Sequence, residues 1–368
     1  MQFEIESKVL RKCLSVASSA LPPRAAEPRF GALWITATPE SLVVEGFNQD
    51  WTIHEAVANC KVESQGEIAV LAATINEVVN SLPDGPVSVS LAGTKLTLKT
   101  AIGKVSIPVL NEARPNIVRK SGKVFFECPK TILSELIRAG SFAERIEKGV
   151  SVGKTSFTVQ NGTVVFVCRS SSSACSVEVA PSQENEKVFV ELSRLRKAAA
   201  ACDGEAVSVL AGDGFLRLES DSESVGVSVE FRQAPSHAVI VPTGDSESAS
   251  AEIDATNVAS FLSALSQCAS VKLPESCTVT LEFDPDAGGV RFSIETSGGE
   301  SECFVPAVCS CKKTVWARIE DMEQATKCVS RGGPFRVAVL SKGGEDKAVL
   351  LENGSKTIRM FSAAMFRE

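Results

Sequence analysis

The chain has 368 residues, 44% hydrophobic and 23% charged, with a net charge of −7. That length suits roughly two or three domains, and that composition excludes a disordered chain. The acidic balance excludes a nucleic-acid binder that uses its whole surface, so any such role falls to a local basic face. No apolar run reaches the ~20 residues of a membrane span, and no basic stretch precedes an apolar one at the N-terminus, so a cytoplasmic protein is expected.

The first predicted elements are an alternating strand, QFEIES, and an amphipathic helix on which Val9, Leu10, Leu14, Val16 and Ala17 form one apolar stripe. Spacings of three and four residues put Lys8 beside both Arg11 and Lys12 on that helix, and Arg24 follows it. A short apolar strand, GEIAVL, then leads into a second helix that carries no basic residue over 74–82. The run VSVSLAGTKLTLKT (87–100) reads as a hairpin closed by a glycine turn. In VLNEARPNIVRKSGK a proline stops the ladder and a polar linker follows.

The same order then recurs. KVFFECPKTILSELIRAGSF opens a second copy, with Ile132, Leu133, Leu136 and Ile137 as its stripe and Lys130, Arg138, Arg145 and Lys148 as its cations. EKVFVE, LSRLRKAAAACDGE and VSVLAGDGFLRLES give strand, helix and hairpin, and the helix adds Arg194, Arg196 and Lys197. FRQAPSHAVIVPTGDSES is a second joint. ASAEIDATNVASFLSALSQCA opens a third copy, whose first helix has no basic residue. KTVWARIEDMEQATKCVSRGG supplies strand, helix and turn, and FRVAVLSKGGEDKAVLLEN a hairpin that closes at Gly343–Gly344. The period is about 120–127 residues. It predicts domains 1–120, 121–245 and 246–368, each with two helices on one face of antiparallel sheet, an α+β architecture.

Reactive chemistry is scarce. Among the 12 cysteines, Cys13, Cys168 and Cys268 sit in apolar surroundings and read as buried thiols. Cys303, Cys309 and Cys311 lack the second pair or the histidines that zinc requires, since His54 and His237 are the only histidines. No metal or cofactor is expected. Ser170–Ser173 reads as a polar loop, and Phe283–Gly289 as a hairpin turn rather than a calcium loop. No phosphate loop, dinucleotide fingerprint, zinc-protease helix or nucleophile elbow occurs, so no enzyme is expected. The clustered cations fit either solvated helix faces or a localised positive field.

The three copies, with the opening MQFEIESKVLRKCLSV and LPPRAAEPRFGALWI, resemble the bacterial DNA polymerase sliding clamp family, the β subunit of the replicative polymerase, including phage-encoded relatives. Arg24, Pro28 and Gly31 fall where that family commonly has Arg, Pro and Gly. LVVEGFNQDWTI, GEIAVLAATINEVVNSLPDG and LNEARPNI resemble the rest of its first domain. The resemblance spans the chain and weakens toward the third copy.

It implies three tandem clamp domains and two chains joined head to tail in a closed ring with helices inside. Duplex DNA would pass through the ring on weak phosphate contacts from Lys8, Arg11, Lys12, Arg24, Arg138, Arg145, Lys148, Arg194, Arg196 and Lys197. The homodimer interface would bring Val105 and Ile107 against Gln267 and Cys268. A peptide pocket between the second and third domains would tether DNA polymerase and clamp loader through Val152, Arg169, Ala174, Pro235, Val239, Ile240, Met365 and Phe366. The chain departs from the family at SSSSA (170–174), where an Asp-Gly-His-Arg-Leu-like stretch is usual, and at its AAMFRE end, where a Met-Pro-Met-Arg-Leu-like tail is usual. Val150 and Ser151 stand in place of paired aromatics. These departures imply altered pocket specificity in a divergent or mobile-element-encoded clamp. The competing expectation is a clamp-fold adaptor or antagonist that binds clamp partners without encircling DNA.

Overall fold

The computed structural model describes residues 1–48, 52–117, 119–143, 146–147, 150–151, 154–170, 173–182, 187–236, 246–271, 278–330 and 333–363. Among them are six α-helices: α1 (Ser7–Ser18), α2 (Ala72–Ser81), α3 (Lys130–Ala143), α4 (Leu192–Ala201), α5 (Val258–Val271) and α6 (Ile319–Val329). The chain forms two compact units. Unit 1 is Met1–Leu133 with Ser193–Ala234, and unit 2 is Ser134–Leu192 with Pro235–Glu368. The threefold repeat of the sequence is thus packed as two bodies, because the strands of the middle copy are divided between two large sheets.

Unit 1 holds a five-stranded sheet in the order Lys61–Ser64, Gln2–Glu6, Pro86–Ala92, Lys95–Lys99, Lys104–Pro108. Its second sheet has eight strands, in the order Lys123–Pro129, Ala206–Gly212, Phe215–Asp221, Gly226–Arg232, Thr52–Asn59, Ser41–Asn48, Ala32–Ala37, Gly66–Leu71. The continuity comes from one antiparallel pairing, Gly226–Arg232 with Thr52–Asn59, in which Val229 faces His54. Period-two alternation aims Phe3 and Ile5 inward from the first strand while Glu4 and Glu6 stay exposed. Helix α1 buries Leu10, Cys13, Leu14, Val16 and Ala17. It rests directly on the sheet at Gly46, where an added Cβ would lie 2.0 Å from Ala17 O, so only glycine fits.

The segment after the five-stranded sheet lies flat on the eight-stranded one. The Leu110 amide donates to Ala69 O (2.8 Å), and Leu110 and Ile117 pack on Ala32, Trp34, Phe47, Ile53 and Ala69. Arg114 pairs with the buried Glu45 and with Glu67 (3.3 Å), its guanidinium 5.4 Å from the Phe47 ring centroid. Arg119 pairs with Glu55 (2.9 Å). A buried carboxylate is costly unless it is paired and hydrogen-bonded, so these arginines fix where the joint lies.

Unit 2 has a nine-stranded sheet in the order Lys187–Val190, Lys154–Gln160, Thr163–Arg169, Ser173–Pro181, Ile358–Ala363, Glu345–Asn353, Phe335–Lys342, Ser246–Ile253, Val308–Cys309. Its four-stranded sheet runs Gly299–Pro306, Gly289–Thr296, Thr278–Asp284, Lys313–Arg318. Phe261 of α5 meets Phe292 and Phe335 edge-on, at 4.8 and 5.0 Å between centroids. The segment Phe283–Gly289 is the expected hairpin turn, with Asp284 Oδ1 accepting the amides of Asp286 and Ala287 (3.0 Å each). Gly343 and Gly344 close the hairpin of Phe335–Lys342 with Glu345–Asn353, with φ of 62° and 85°, which favours glycine at both.

Cys13, Cys168 and Cys268 are buried free thiols, as their apolar surroundings predict, and so are Cys128, Cys175, Cys202 and Cys328, whereas Cys60, Cys303, Cys309 and Cys311 are only half-buried. Burial pushes the Cys13 thiol up to about 12.

Candidate nucleic-acid interface and edge strands

The cations of α1 are engaged by their own unit. Arg11 reaches the end of α2, where the last carbonyls of a helix lack intrahelical partners. Its guanidinium donates to Val79 O (3.1 Å) and Leu82 O and pairs with Asp84 (2.9 Å). Helix α2 has no basic residue in its last turn, so Arg11 supplies the missing charge from a neighbouring helix. Lys8 also pairs with Asp84 (3.2 Å), although it stays largely exposed. The two side chains hold the Asp84 carboxyl below its ordinary range, Arg11 being the larger influence. Lys12 pairs with Asp203 (2.6 Å) and donates to Ser222 Oγ (2.8 Å).

Between α1 and α4 runs a groove of about 350 Å³ lined by Lys12, Ser15, Val16, Ser19, Lys197, Ala200, Ala201 and Asp203. Lys197 is exposed on its rim; elsewhere on α4 Arg196 is exposed and Arg194 half-buried. Below it lies His54, 2% exposed. The Ser19 hydroxyl donates to Val16 O (2.6 Å), which leaves its oxygen to accept from His54 Nδ1 (2.6 Å). Burial holds the imidazole pKa down to about 4. His54 is therefore a neutral core residue rather than a general base. Arg24 is exposed in the loop after α1 and has no ion pair among the described residues.

The helices of unit 2 look different. Arg138 of α3 donates to Cys328 O (3.3 Å) at the end of α6, the same kind of helix-end contact that Arg11 makes. Helix α5 has no charged residue, and α6 carries Glu320, Asp321 and Glu323 against one Lys327, which pairs with Glu323 (2.5 Å). Arg145 and Lys148 lie outside the described residues.

Of the expected peptide pocket, Val152, Val239, Ile240, Met365 and Phe366 lie outside the described residues, as does His237. Arg169 and Pro235 are exposed, and Ala174 is buried opposite Phe361. Val150 and Ser151 pair with Ile146–Glu147 as a short ladder. Ser170 and Ser173 are buried, at 7% and 3% exposure, so their part of the expected polar loop belongs to the packed structure.

Of the strands that end a sheet among the described residues, two carry exposed apolar side chains beside a charged face. In unit 1, Lys104–Pro108 ends the five-stranded sheet, with Ile102 and Val105 exposed. The neighbouring solvent face is basic: Lys95, Lys99 and Lys104 are all exposed, and Lys99 lies directly opposite Lys104. In unit 2, Gly299–Pro306 ends the four-stranded sheet, with Phe304 exposed and Val308 exposed just beyond it. That face carries Glu295 directly opposite Glu300, with Glu302 beside them paired to Arg291 of the neighbouring strand. Ile107 and Cys268, expected at an interface, point into their own units' interiors (4% and 0% exposed). Val105 and Gln267 remain at the surface, and the Cys303 thiol donates to Gln267 Oε1 (2.8 Å). The charged faces were missed in the sequence. Their signal was the alternation Lys95, Thr97, Lys99 on one strand and Glu300, Glu302 on the other.

No cluster of three or more His, Cys, Asp or Glu that could hold a metal occurs among the described residues. No helix there is long and apolar enough to cross a membrane.

Residues 1–116 match the model of the DNA polymerase III β subunit, N-terminal domain. The β sliding clamp of Micrococcus luteus is 27% identical over 110 residues, 30% of this chain and 35% of that protein. The chain's matches to its curated relatives span between 24% and 40% of their length. In structure the likeness of fold extends over the full length. The β subunit from DNA polymerase of Streptococcus pyogenes superposes with a TM-score of 0.83 at 15% identity, covering 100% of both chains. The DNA polymerase sliding clamp from Bacillus subtilis gives 0.82 at 15% identity, again over 100% of both. The chain is thus related in sequence to the bacterial DNA polymerase III β-subunit family through its N-terminal third, and it has the sliding-clamp fold throughout.

Proposed function

We propose that the chain is a processivity factor: a non-catalytic sliding clamp of three tandem domains, near 1–120, 121–245 and 246–368, two copies of which close head to tail around duplex DNA. The observation that carries the reading is the pair of open strand edges with opposite charge. Lys104–Pro108 offers exposed apolar side chains beside Lys95, Lys99 and Lys104, and Gly299–Pro306 offers exposed apolar side chains beside Glu295, Glu300 and Glu302. An unpaired edge is a template for another strand, and complementary charge selects which edge it takes. Joining unlike edges of two copies is a heterologous contact, which forms a ring when the rotation closes. The whole-chain fold likeness and the N-terminal family match support the same reading.

DNA retention then rests on topology rather than on tight contacts. Phosphates would meet Lys197, Arg24, Arg194 and Arg196, with Lys8 at the margin. Arg11, Lys12 and Arg138 hold the helices in place. Few and weak phosphate contacts suit sliding, because each strong one would add friction. A peptide pocket that includes Arg169, Ala174, Pro235 and the C-terminal residues would tether polymerase and loader.

The test is retention on circular DNA. A dimer loaded on a nicked plasmid should survive gel filtration in moderate salt and fall off when the plasmid is linearised. Equal release from circular and linear DNA would overturn the ring. The adaptor reading is favoured by the uncharged α5. It predicts partner binding by a monomer, with no gain in polymerase processivity.

A further inference from the structure

The eight-stranded sheet of unit 1 is assembled from two copies of the repeat. Its one seam, Thr52–Asn59 against Gly226–Arg232, is crossed by the joint between those copies. The joint is anchored at both ends. Leu110 bridges to Ala69 in the first copy. At the other end Lys120 Nζ donates to Asp213 O (3.0 Å) and Arg217 donates to Lys120 O, both partners belonging to the second copy. Buried carboxylates flank the seam, Glu45 in the first copy (6% exposed) and Glu230 in the second (0%). Arg114 of the joint pairs with the one and Arg217 with the other.

Over the seam itself lies Arg119. Its Nη1 pairs with Glu55 (2.9 Å) and donates to Ser228 Oγ (3.4 Å). Glu55 and Ser228 are register partners, one from each copy. Glu55 also lies directly opposite Glu45 on the adjacent strand Ser41–Asn48. Like charges in that relation are destabilising, so the sheet carries both carboxylates only with Arg114 and Arg119 in place. A slip of one residue at the seam would turn Ser228 to the other face and break the crossing contact. The remaining guanidinium nitrogens of Arg119, Nε and Nη2, are buried with no hydrogen-bond partner among the described residues. A single nitrogen therefore makes the whole crossing.

We propose that Arg119 is a positioning residue for the clamp: it staples the first copy to the second across their shared sheet, so that the two move as one body. Closure of a ring joins strand edges, and edges already held in the bound geometry lose less freedom on joining. A stapled seam thus keeps the ring shut longer. That consequence rests on the ring reading, whereas the staple itself does not.

The test uses the full-length protein and a nicked circular plasmid. Arg119→Met keeps an apolar stem and removes the charge. It should speed amide hydrogen exchange about tenfold over 52–59 and 226–232 while leaving 32–37 of the same sheet within about twofold. It should also shorten the half-life on the plasmid several-fold. Lysine is a poor substitute where arginine binds in bidentate fashion. Here one nitrogen carries both contacts, so Arg119→Lys should restore exchange and half-life most of the way to wild type. If Arg119→Met does not fold, Glu55→Gln decides, with exchange over the same two strands raised several-fold. Wild-type exchange at the seam, exchange raised equally throughout unit 1, or an Arg119→Lys chain no better than Arg119→Met would overturn the staple. Faster exchange at the seam with an unchanged half-life would overturn its role in the clamp. Equal release of the wild-type chain from circular and linear plasmid would overturn the ring reading, and the clamp role with it, whatever the exchange shows.

Discussion

The two units differ most in charge. Unit 1 carries cations on α1, on α4 and on its open edge at Lys95, Lys99 and Lys104. Unit 2 has an uncharged α5, an acid-rich α6 and an open edge marked by Glu295, Glu300 and Glu302. Within unit 1, moreover, the cations do two jobs. Arg11 closes the end of α2 and Lys12 holds Asp203, whereas Lys197 and Arg24 face solvent. A cation at helical spacing is therefore not by itself a phosphate contact. What decides is whether a carbonyl or carboxylate of the same unit lies within its reach.

The largest expected effect breaks the contrast between the edges. Lys99→Glu with Lys104→Glu sets like charge against like across the proposed junction. It should weaken dimerisation about 100-fold or more by sedimentation, with the melting of the separate chains little changed. Glu300→Lys with Glu302→Lys in the second chain should recover it, and an unaltered dimer would place the junction elsewhere.

Titration from pH 6.5 toward 4 probes the interior of unit 1 through His54, the only histidine among the described residues. Its folded pKa, about 4, lies below the ordinary 6.5, so the unfolded chain takes the proton first. The stability this gives is fully present above pH 6.5 and is lost as pH falls through 4, at most about 3 kcal/mol. His54→Gln should flatten urea-unfolding stability between pH 6.5 and 4. An unchanged pH profile would mean that the imidazole is not buried neutral.

Arg11→Ala should lower stability by about 1–2 kcal/mol, the scale of losing charged hydrogen bonds at a helix end. It should leave the salt dependence of DNA retention alone. A reduced salt slope would return Arg11 to the phosphate contacts.

The smallest effect sharpens the contrast between helices. Lys197→Ala should leave stability within about 0.5 kcal/mol and reduce the salt slope by about one phosphate contact. Ser263→Lys, on the exposed side of α5, should raise that slope by a similar amount if α5 faces the duplex. No change from either would remove both helices from the DNA path.

Much of this was legible in the residues. The stripe Leu10, Leu14 and Ala17 is the buried side of α1, and the paired glycines at 343–344 close the hairpin expected there. The opening residues carried the family resemblance, and the same stretch matches the family model. The site was less legible. Arg11 and Lys12 look alike on the helix surface, yet their partners, Asp84 and Asp203, lie far along the chain, in the corresponding Asp-Gly turns of two different copies. Ser173 looked like loop because its acceptor, Asp321, belongs to another copy of the repeat.

By itself the sequence determined the elements, their order and their threefold recurrence, because periodicity and turn chemistry are properties of neighbouring residues. Only the tertiary structure decided that Val229 would lie beside His54 and Ser173 beside Ser362, which runs the sheets through the joints and leaves the edges at Lys104–Pro108 and Gly299–Pro306 open. Every strand offers the same backbone donors and acceptors, so the choice among distant partners is made by which pairing also buries the apolar faces and satisfies the buried charges of the whole chain.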